Sequence, residues 1–543
     1  MVCGALLKVL WLTGVVSPFA SAKPDNFRAS KSRTRHTPRI PASRLGLTPS
    51  VADTTENWFS NRIDHLTSEL PSGGNLTYEQ RFFVYDKYWF PGGPVFFYCG
   101  NEADVELYVN ATGLMWENAE RFGSMLVWAE HRYYGQSQPF RDPASADRSY
   151  LSVEQALADY ASLITNLRNT VPGLENSAFI AFGGSYGGML ASWMRFKYPN
   201  AIDGAIAASA PIFTFEGEDP ACDPNFFARG VTYDVSEAGG ASTPWCEANF
   251  REAFAKGRLV AAGETPEGRA ALAEAFQLCA PLGDDAEAGW RVADWLDEAL
   301  SYMAMGDYPY PSSYILNGDG VLPAFPVAFA CDAHLGEDLT AKGCSWSESG
   351  SSQAVEGDAV CLPLFRGLAA FAGVYYNNSG RAPCNNLTAA VNPEAALVGA
   401  LWDYQYCTEI FQLFGQDGVG DLYWPAPWNA TEASDRCARD HQGLRPRAEW
   451  ATETFGGSPA QWARATSNIV WSNGELDPWA GGGVAANLSD TLLALKIPRA
   501  AHHLDLMFSD PGDSAEVKAA REFEMAQVRK WIDERAARTQ NGN

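Results

Sequence analysis

Ala178-Phe179-Ile180-Ala181-Phe182-Gly183-Gly184-Ser185-Tyr186-Gly187-Gly188-Met189-Leu190 is the stretch on which the fold turns. Its first five residues are an unbroken apolar run of strand length, and Gly187 to Tyr198 continue with helical spacing. Between the two lies Gly-x-Ser-x-Gly, at Gly183, Ser185 and Gly187. In that context the motif reads as a nucleophile elbow, a turn so sharp that flanking side chains would clash, hence the glycines. A strained Ser185 at a sheet edge, its hydroxyl facing a pocket, is the expectation. A lone Gly-x-Ser-x-Gly is common by chance; one that closes an apolar strand and opens a helix is not.

Working outward, Pro94 to Cys99, Ser124 to Ala129 and Gly204 to Ala208 are further apolar runs of strand length. Helical patterns separate them, over 105–121 and again from Ser152 to Val171, where Ser152 can cap and Ala156, Leu157, Tyr160, Leu163, Ile164 and Leu167 share one face. Fully apolar strands alternating with helices predict a parallel sheet covered on both sides. The rhythm breaks over 216–450, which has helical stretches (250–278, 289–305), many Gly, Pro and Cys, and no strand series. It returns with strands near Asn468 to Trp471 and Leu492 to Ile497 and a last helix, Ser514 to Ala536. The expected architecture is an α/β-hydrolase core, 54–215 and 451–543, interrupted by a helical, disulfide-bonded cap at 216–450.

A chain of 543 residues is too long for one simple core, in keeping with that division. Its 40 basic and 65 acidic residues give a formal charge of −25, which argues against nucleic acid or an anionic membrane surface as a partner. The first 22 residues read as a signal peptide, apolar from Val2 to Val16 and ending in the small-x-small Ala20-Ser21-Ala22. Residues 23–53 follow as a leader or pro-segment, basic at Arg28, Lys31, Arg33, Arg35, Arg39 and Arg44. No other run is long enough to span a membrane, so no span is expected once the signal is removed. Of the 11 cysteines, Cys222, Cys246, Cys279, Cys331, Cys344, Cys361, Cys384, Cys407 and Cys437 crowd into the insertion, which points to disulfides and an oxidising compartment. None has C-x-x-C spacing, so neither a metal nor any other cofactor is expected. Sequons at Asn75, Asn110, Asn377, Asn386, Asn429 and Asn487 agree with the secretory route, to a lysosome or vacuole or to the exterior.

A serine hydroxyl attacks only when a neighbouring base takes its proton. Of the 7 histidines, His502 and His503 follow the strand ending near Ile497, where this fold places its base. Position alone does not choose between them. Asp477, after the preceding strand, is the candidate orienting acid, with Glu475 and Asp505 as rivals. Oxyanion donors are expected at the amide of Tyr186 and at Gly100 or Asn101, after the early strand. Glu102 comes next, either a solvated acid at a helix start or a charge partner for one end of a peptide.

Five segments together, Phe182 to Leu190, Glu130-His131-Arg132-Tyr133-Tyr134-Gly135, Gly100-Asn101-Glu102, Ser472 to Trp479 and Ala501-His502-His503-Leu504-Asp505-Leu506, resemble the lysosomal Pro-X carboxypeptidase family, which also holds the dipeptidyl-peptidase II enzymes. The resemblance runs from about Phe59 to the last helix. It implies an α/β-hydrolase core with a helical cap and serine-peptidase action after proline in peptides, with Ser185 as nucleophile, Asp477 as acid and His502 as base. It also implies that Met189 and Trp479 line a slot for the proline ring and that Cys407 bonds Cys437. Gly415 stands where the family has a further cysteine, so Cys222 needs another partner, and Cys99 falls where no cysteine is expected. The surroundings of Glu409 and of Asn473-Gly474-Glu475 lean towards the carboxypeptidase branch and release of a C-terminal residue. Release of N-terminal dipeptides, another esterase-type hydrolase, a non-catalytic relative and a homodimer stay open.

Overall fold

The computed structural model describes residues 48–67, 76–140, 147–314, 320–344, 361–387 and 393–541. The signal segment, most of the basic leader and the sequon at Asn75 lie outside them. In chain order the first half runs β1 (Thr55–Arg62), β2 (Thr77–Tyr85), β3 (Val95–Cys99), α1 (Val105–Val109), α2 (Gly113–Phe122), β4 (Met125–Ala129), α3 (Val153–Thr170), β5 (Phe179–Gly184), α4 (Tyr186–Lys197) and β6 (Gly204–Ala208). Helices follow: α5 (Phe226–Asp234), α6 (Trp245–Ala253), α7 (Arg258–Glu264), α8 (Pro266–Ala275), α9 (Ala288–Met305), α10 (Pro326–His334), α11 (Leu362–Tyr376), α12 (Pro393–Thr408), α13 (Ala430–Asp440), α14 (Trp450–Phe455) and α15 (Pro459–Ala465). The chain closes with β7 (Ile469–Gly474), β8 (Leu492–Ile497) and α16 (Ala515–Asn541).

All eight strands join one sheet in the order β1-β2-β4-β3-β5-β6-β7-β8. The β1–β2 and β2–β4 pairs are antiparallel, and every pair from β4 to β8 is parallel. Every residue of β3, β4, β5 and β6 is buried, because helices cover both faces. The pleat divides them: Phe97, Val127, Phe179 and Ala181 meet α3 and α4 on one side. Phe96, Tyr98, Leu126, Trp128, Ile180 and Phe182 meet α1, α2 and α16 on the other. Each such aromatic stabilises the fold by roughly 2 kcal/mol over an exposed ring.

Where local signals are strong, sequence and structure agree. Ser152 Oγ accepts the Gln155 amide at 3.2 Å and starts α3 at the next residue. The helical run over 105–121 is instead two helices, interrupted where Asn110 turns its Oδ1 to the amide of Val51. The run over 250–278 becomes three, broken at Gly257 in the left-handed region (φ 64°) and at Thr265, which caps a new helix beginning with Pro266. The edge strand β1 and its neighbour β2, where only Phe82 to Tyr85 is apolar, went unforeseen.

Helices α5 to α11 enclose a separate hydrophobic cluster around Leu296, Leu300, Phe365 and Phe371. Disulfides tie Cys246 to Cys331, Cys279 to Cys384, Cys344 to Cys361 and Cys407 to Cys437. Cys99 and Cys222 are unbonded. The Gly415 amide donates to Pro224, close to Cys222, but glycine offers no sulfur there. No described helix is long and apolar enough to cross a membrane.

Several carboxyls are buried with no ion pair among the described residues. Burial pushes Asp297 and Asp307 up to about 7, and Glu218 and Glu409 up to about 8. A raised folded pKa leaves stability intact at acid pH and removes it as pH climbs through the folded value. Neutral, buried His131, held down at about 4, acts oppositely below its unfolded pKa, as does His503. The carboxyls are more numerous, so the unfolding temperature is expected to fall from pH 5 to pH 8, by the equivalent of roughly 2 kcal/mol or more. Thermal unfolding across that range tests it; a flat or rising profile would show that these acids are better satisfied than the structure indicates.

Candidate active site

Ser185 stands between β5 and α4 with φ 59° and ψ −130°, a conformation that residues with a β-carbon rarely adopt. Close packing enforces it. A Cβ on Gly183 would lie 2.0 Å from the Gly187 carbonyl oxygen, and one on Gly187 would lie 2.9 Å from Asn101 Oδ1 and from the Cys99 carbonyl. The Ser185 amide donates to Ala208 at the end of β6 (3.0 Å), while its side chain stays partly exposed.

The two histidines separate clearly. His502 Nδ1 lies 2.9 Å from Asp477 Oδ1, with both side chains buried. The same Asp477 oxygen accepts the Trp479 amide at 3.0 Å, so the short turn Pro478–Gly482 fixes the carboxylate. His503 has φ 42° and donates its amide to Ser209 Oγ at 2.8 Å. Its ring lies against Gly184 and stacks edge-on to Tyr314. Burial and the neighbouring His502 hold His503 well below the ordinary imidazole range, so it remains neutral. Ala208 and Ser209 thus bring the elbow and the histidine loop together at the carboxyl end of β6. Ser185 Oγ makes no hydrogen bond to His502 or any other described residue, and such contacts often tighten only with substrate.

The rival acids point elsewhere. Asp505 accepts Ser472 Oγ at 2.7 Å, and its carbonyl accepts Arg521 Nε of α16. Glu475 accepts the Arg499 amide and lies 3.4 Å from Lys496 Nζ. Among the oxyanion candidates, Gly100 is corrected: its amide already donates to Ala129 at 3.0 Å, and its carbonyl accepts Tyr160 Oη. The amides of Asn101 and Tyr186 are uncommitted, one beside the elbow and one opening α4. Met189 is closed off inside the core between α4 and the sheet. Trp479 is 6% exposed and lies among Phe226, Phe227 and Phe414.

Long-range supports have no local signature in the sequence. The His502 amide donates to the Met305 carbonyl at the end of α9 (3.2 Å), and its carbonyl accepts Tyr308 Oη (3.0 Å). Met305 Sδ also receives Trp479 Nε1. On the other flank, Tyr186 Oη meets His131 Nε2 and Gln405 Nε2, each at 3.1 Å. Gln405 in turn accepts Tyr134 Oη and donates to Glu409. The Glu130–Tyr134 segment is otherwise structural, with Glu130 on Arg81 and Arg132 on Asp159. One cluster has the donor types for a metal, Asp403, Cys407 and His441, but the Cys407 sulfur belongs to a disulfide and Arg436 already neutralises Asp403.

The arrangement offers an exposed hydroxyl in a strained turn, a carboxylate-oriented imidazole and two free amides, the parts that acyl transfer requires. A family model described as serine carboxypeptidase S28 matches residues 62–524. The chain is 37% identical to the lysosomal Pro-X carboxypeptidase of Bos taurus, over 98% of both chains. It is 39% identical to that of Homo sapiens, over 92% of this chain and 91% of the relative. It is more distantly similar to the thymus-specific serine protease of Mus musculus, 27% identical over 91% and 90%.

Proposed function

The chain belongs to the serine carboxypeptidase S28 family, and from that premise we propose that it hydrolyses peptides on the carboxyl side of proline and releases the C-terminal residue. The observation that carries this reading is the His502–Asp477 pair beside the strained Ser185 turn. His502 Nε2 takes the Ser185 proton as Oγ attacks the proline carbonyl, while Asp477 holds Nδ1–H and stabilises the imidazolium. The amides of Tyr186 and Asn101 receive the developing oxyanion. Collapse of the tetrahedral intermediate breaks the C–N bond, and the imidazolium protonates the departing amine. Water, deprotonated by the same base, then releases the peptide acid. Trp479 and its surrounding phenylalanines supply the flat apolar wall on which a proline ring packs.

The same reading assigns the chain to the secretory pathway with a lysosomal destination, residues 1–22 as its signal and 216–450 as the cap over the core. Asn386, Asn429 and Asn487 are exposed positions for glycans, and Asn110 and Asn377 are further sequons that are half-buried.

Peptides of the type Ala-Pro-Phe and Ala-Ala-Pro-Phe test the activity by mass of the products. Loss of the single terminal phenylalanine from both is expected. Cleavage of Ala-Pro-Phe with no phenylalanine released from Ala-Ala-Pro-Phe would instead identify the dipeptidyl-peptidase mode. No cleavage after proline, with Ser185 still labelled by a fluorophosphonate, would remove the substrate assignment and leave a serine hydrolase.

A further inference from the structure

Glu102 is unused by the chemistry above, although it adjoins it. It follows Asn101, whose side chain lies against Gly187 of the elbow and whose Nδ2 donates to Glu102 Oε2 at 2.9 Å. The residue is partly exposed, yet its carboxyl lies deep enough for burial to raise it above the ordinary range. The ionisable neighbours that feel its charge are Tyr98, Tyr108, Tyr134, Tyr186 and Tyr314, together with His502. No lysine or arginine acts on it, and His502 is the one basic group that does, among the described residues.

Direction follows from the reaction. The imidazole that takes the serine proton must pass it to the leaving nitrogen, so the departing residue lies on the His502 side of the scissile bond. In a peptide cut one residue from its end, the free carboxylate sits two bonds beyond that nitrogen. A substrate ammonium would lie on the other side, beyond the acyl residue. We propose that Glu102, braced by Asn101, is the specificity residue that hydrogen-bonds the C-terminal carboxylate of the substrate. The inference rests on the carboxypeptidase reading above. Two carboxylates repel, so the contact forms when Glu102 carries a proton and donates it in a short O–H···O bond. No fixed cation is needed, and recognition weakens as pH rises and Glu102 ionises.

The test compares matched peptides ending in Pro-Phe with a free carboxylate or a carboxamide, for wild type, Glu102→Gln and Glu102→Ala, from pH 4 to 8. Wild type is expected to favour the free acid at least tenfold in kcat/KM at pH 5, mostly through KM, with the preference shrinking as pH rises. Glu102→Ala is expected to bring the acid-to-amide ratio near one. Glu102→Gln, which still donates a hydrogen bond, should keep part of the preference and flatten its pH dependence. An unchanged ratio in Glu102→Ala would overturn the proposal, as would equal losses on both substrates in both variants, the mark of a merely structural role. Dipeptide release that Glu102→Gln abolishes would show that the group binds an ammonium instead. If wild type cleaves neither peptide but is labelled at Ser185, the underlying activity assignment fails, and the proposal with it.

Discussion

Ser185→Ala is expected to lower kcat by about six orders of magnitude, to the residual rate that binding and oxyanion stabilisation alone provide. Fluorophosphonate labelling should vanish with it. The more searching comparison is with Ser185→Gly, equally inactive. Alanine keeps the β-carbon that makes φ 59°, ψ −130° costly, whereas glycine adopts that conformation freely. At an ordinary position glycine is the less stable of the two. Here the order is expected to invert, with Ser185→Gly more stable by about 1 kcal/mol, or roughly 1–2 °C in unfolding temperature for a chain this long. If Ser185→Ala unfolds at the same temperature or higher, position 185 stores no strain.

Asp477→Asn is expected to reduce kcat by about 10⁴ while leaving the fold intact. An amide of the same shape can still accept the Trp479 amide, so the turn survives. His502 Nδ1 shares that oxygen, so the substitution acts by removing the negative charge opposite the imidazolium, and an amide turned the other way would also fix the wrong tautomer. Glu475→Gln and Asp505→Asn form the contrast. Their carboxyls serve Arg499 and Ser472, so neither is expected to cost as much as tenfold in kcat. Steady-state rates on one Pro-Phe peptide decide the matter. A collapse in Asp505→Asn with Asp477→Asn nearly active would reverse the choice of acid.

Local pattern made the sheet legible. The strands β3 to β6 are short, wholly apolar runs because both faces are covered, and the elbow shows itself in glycines that no other residue could replace. β1 was silent because an edge strand with a solvated face carries no such run, and β2 because polar residues interrupt its first half. The breaks at Asn110 and Gly257 escaped notice because an apolar stripe can continue across two helices. Chain order brought Asp477 and the histidine pair into consideration and the family resemblance pointed to His502, but the physical separation of His502, on Asp477, from His503, on Ser209, lies in three-dimensional bonding. Gly100 was a candidate donor because its commitment to Ala129 lies in a neighbouring strand, invisible to spacing. Met305 and Tyr308 were out of reach for the same reason: their link to His502 is through backbone groups and spans nearly two hundred residues.

That link limits how a peptide can get in. A cover that swung away on a hinge would pull α9 from residue 502 and drag the imidazole off its carboxylate. An entry route that leaves α9 in place, negotiated by side chains and loop edges, is therefore the one that keeps the imidazole aligned. Such a route suits slender, extended chain ends better than folded proteins. Trimming from a terminus is then a matter of clearance as much as of recognition.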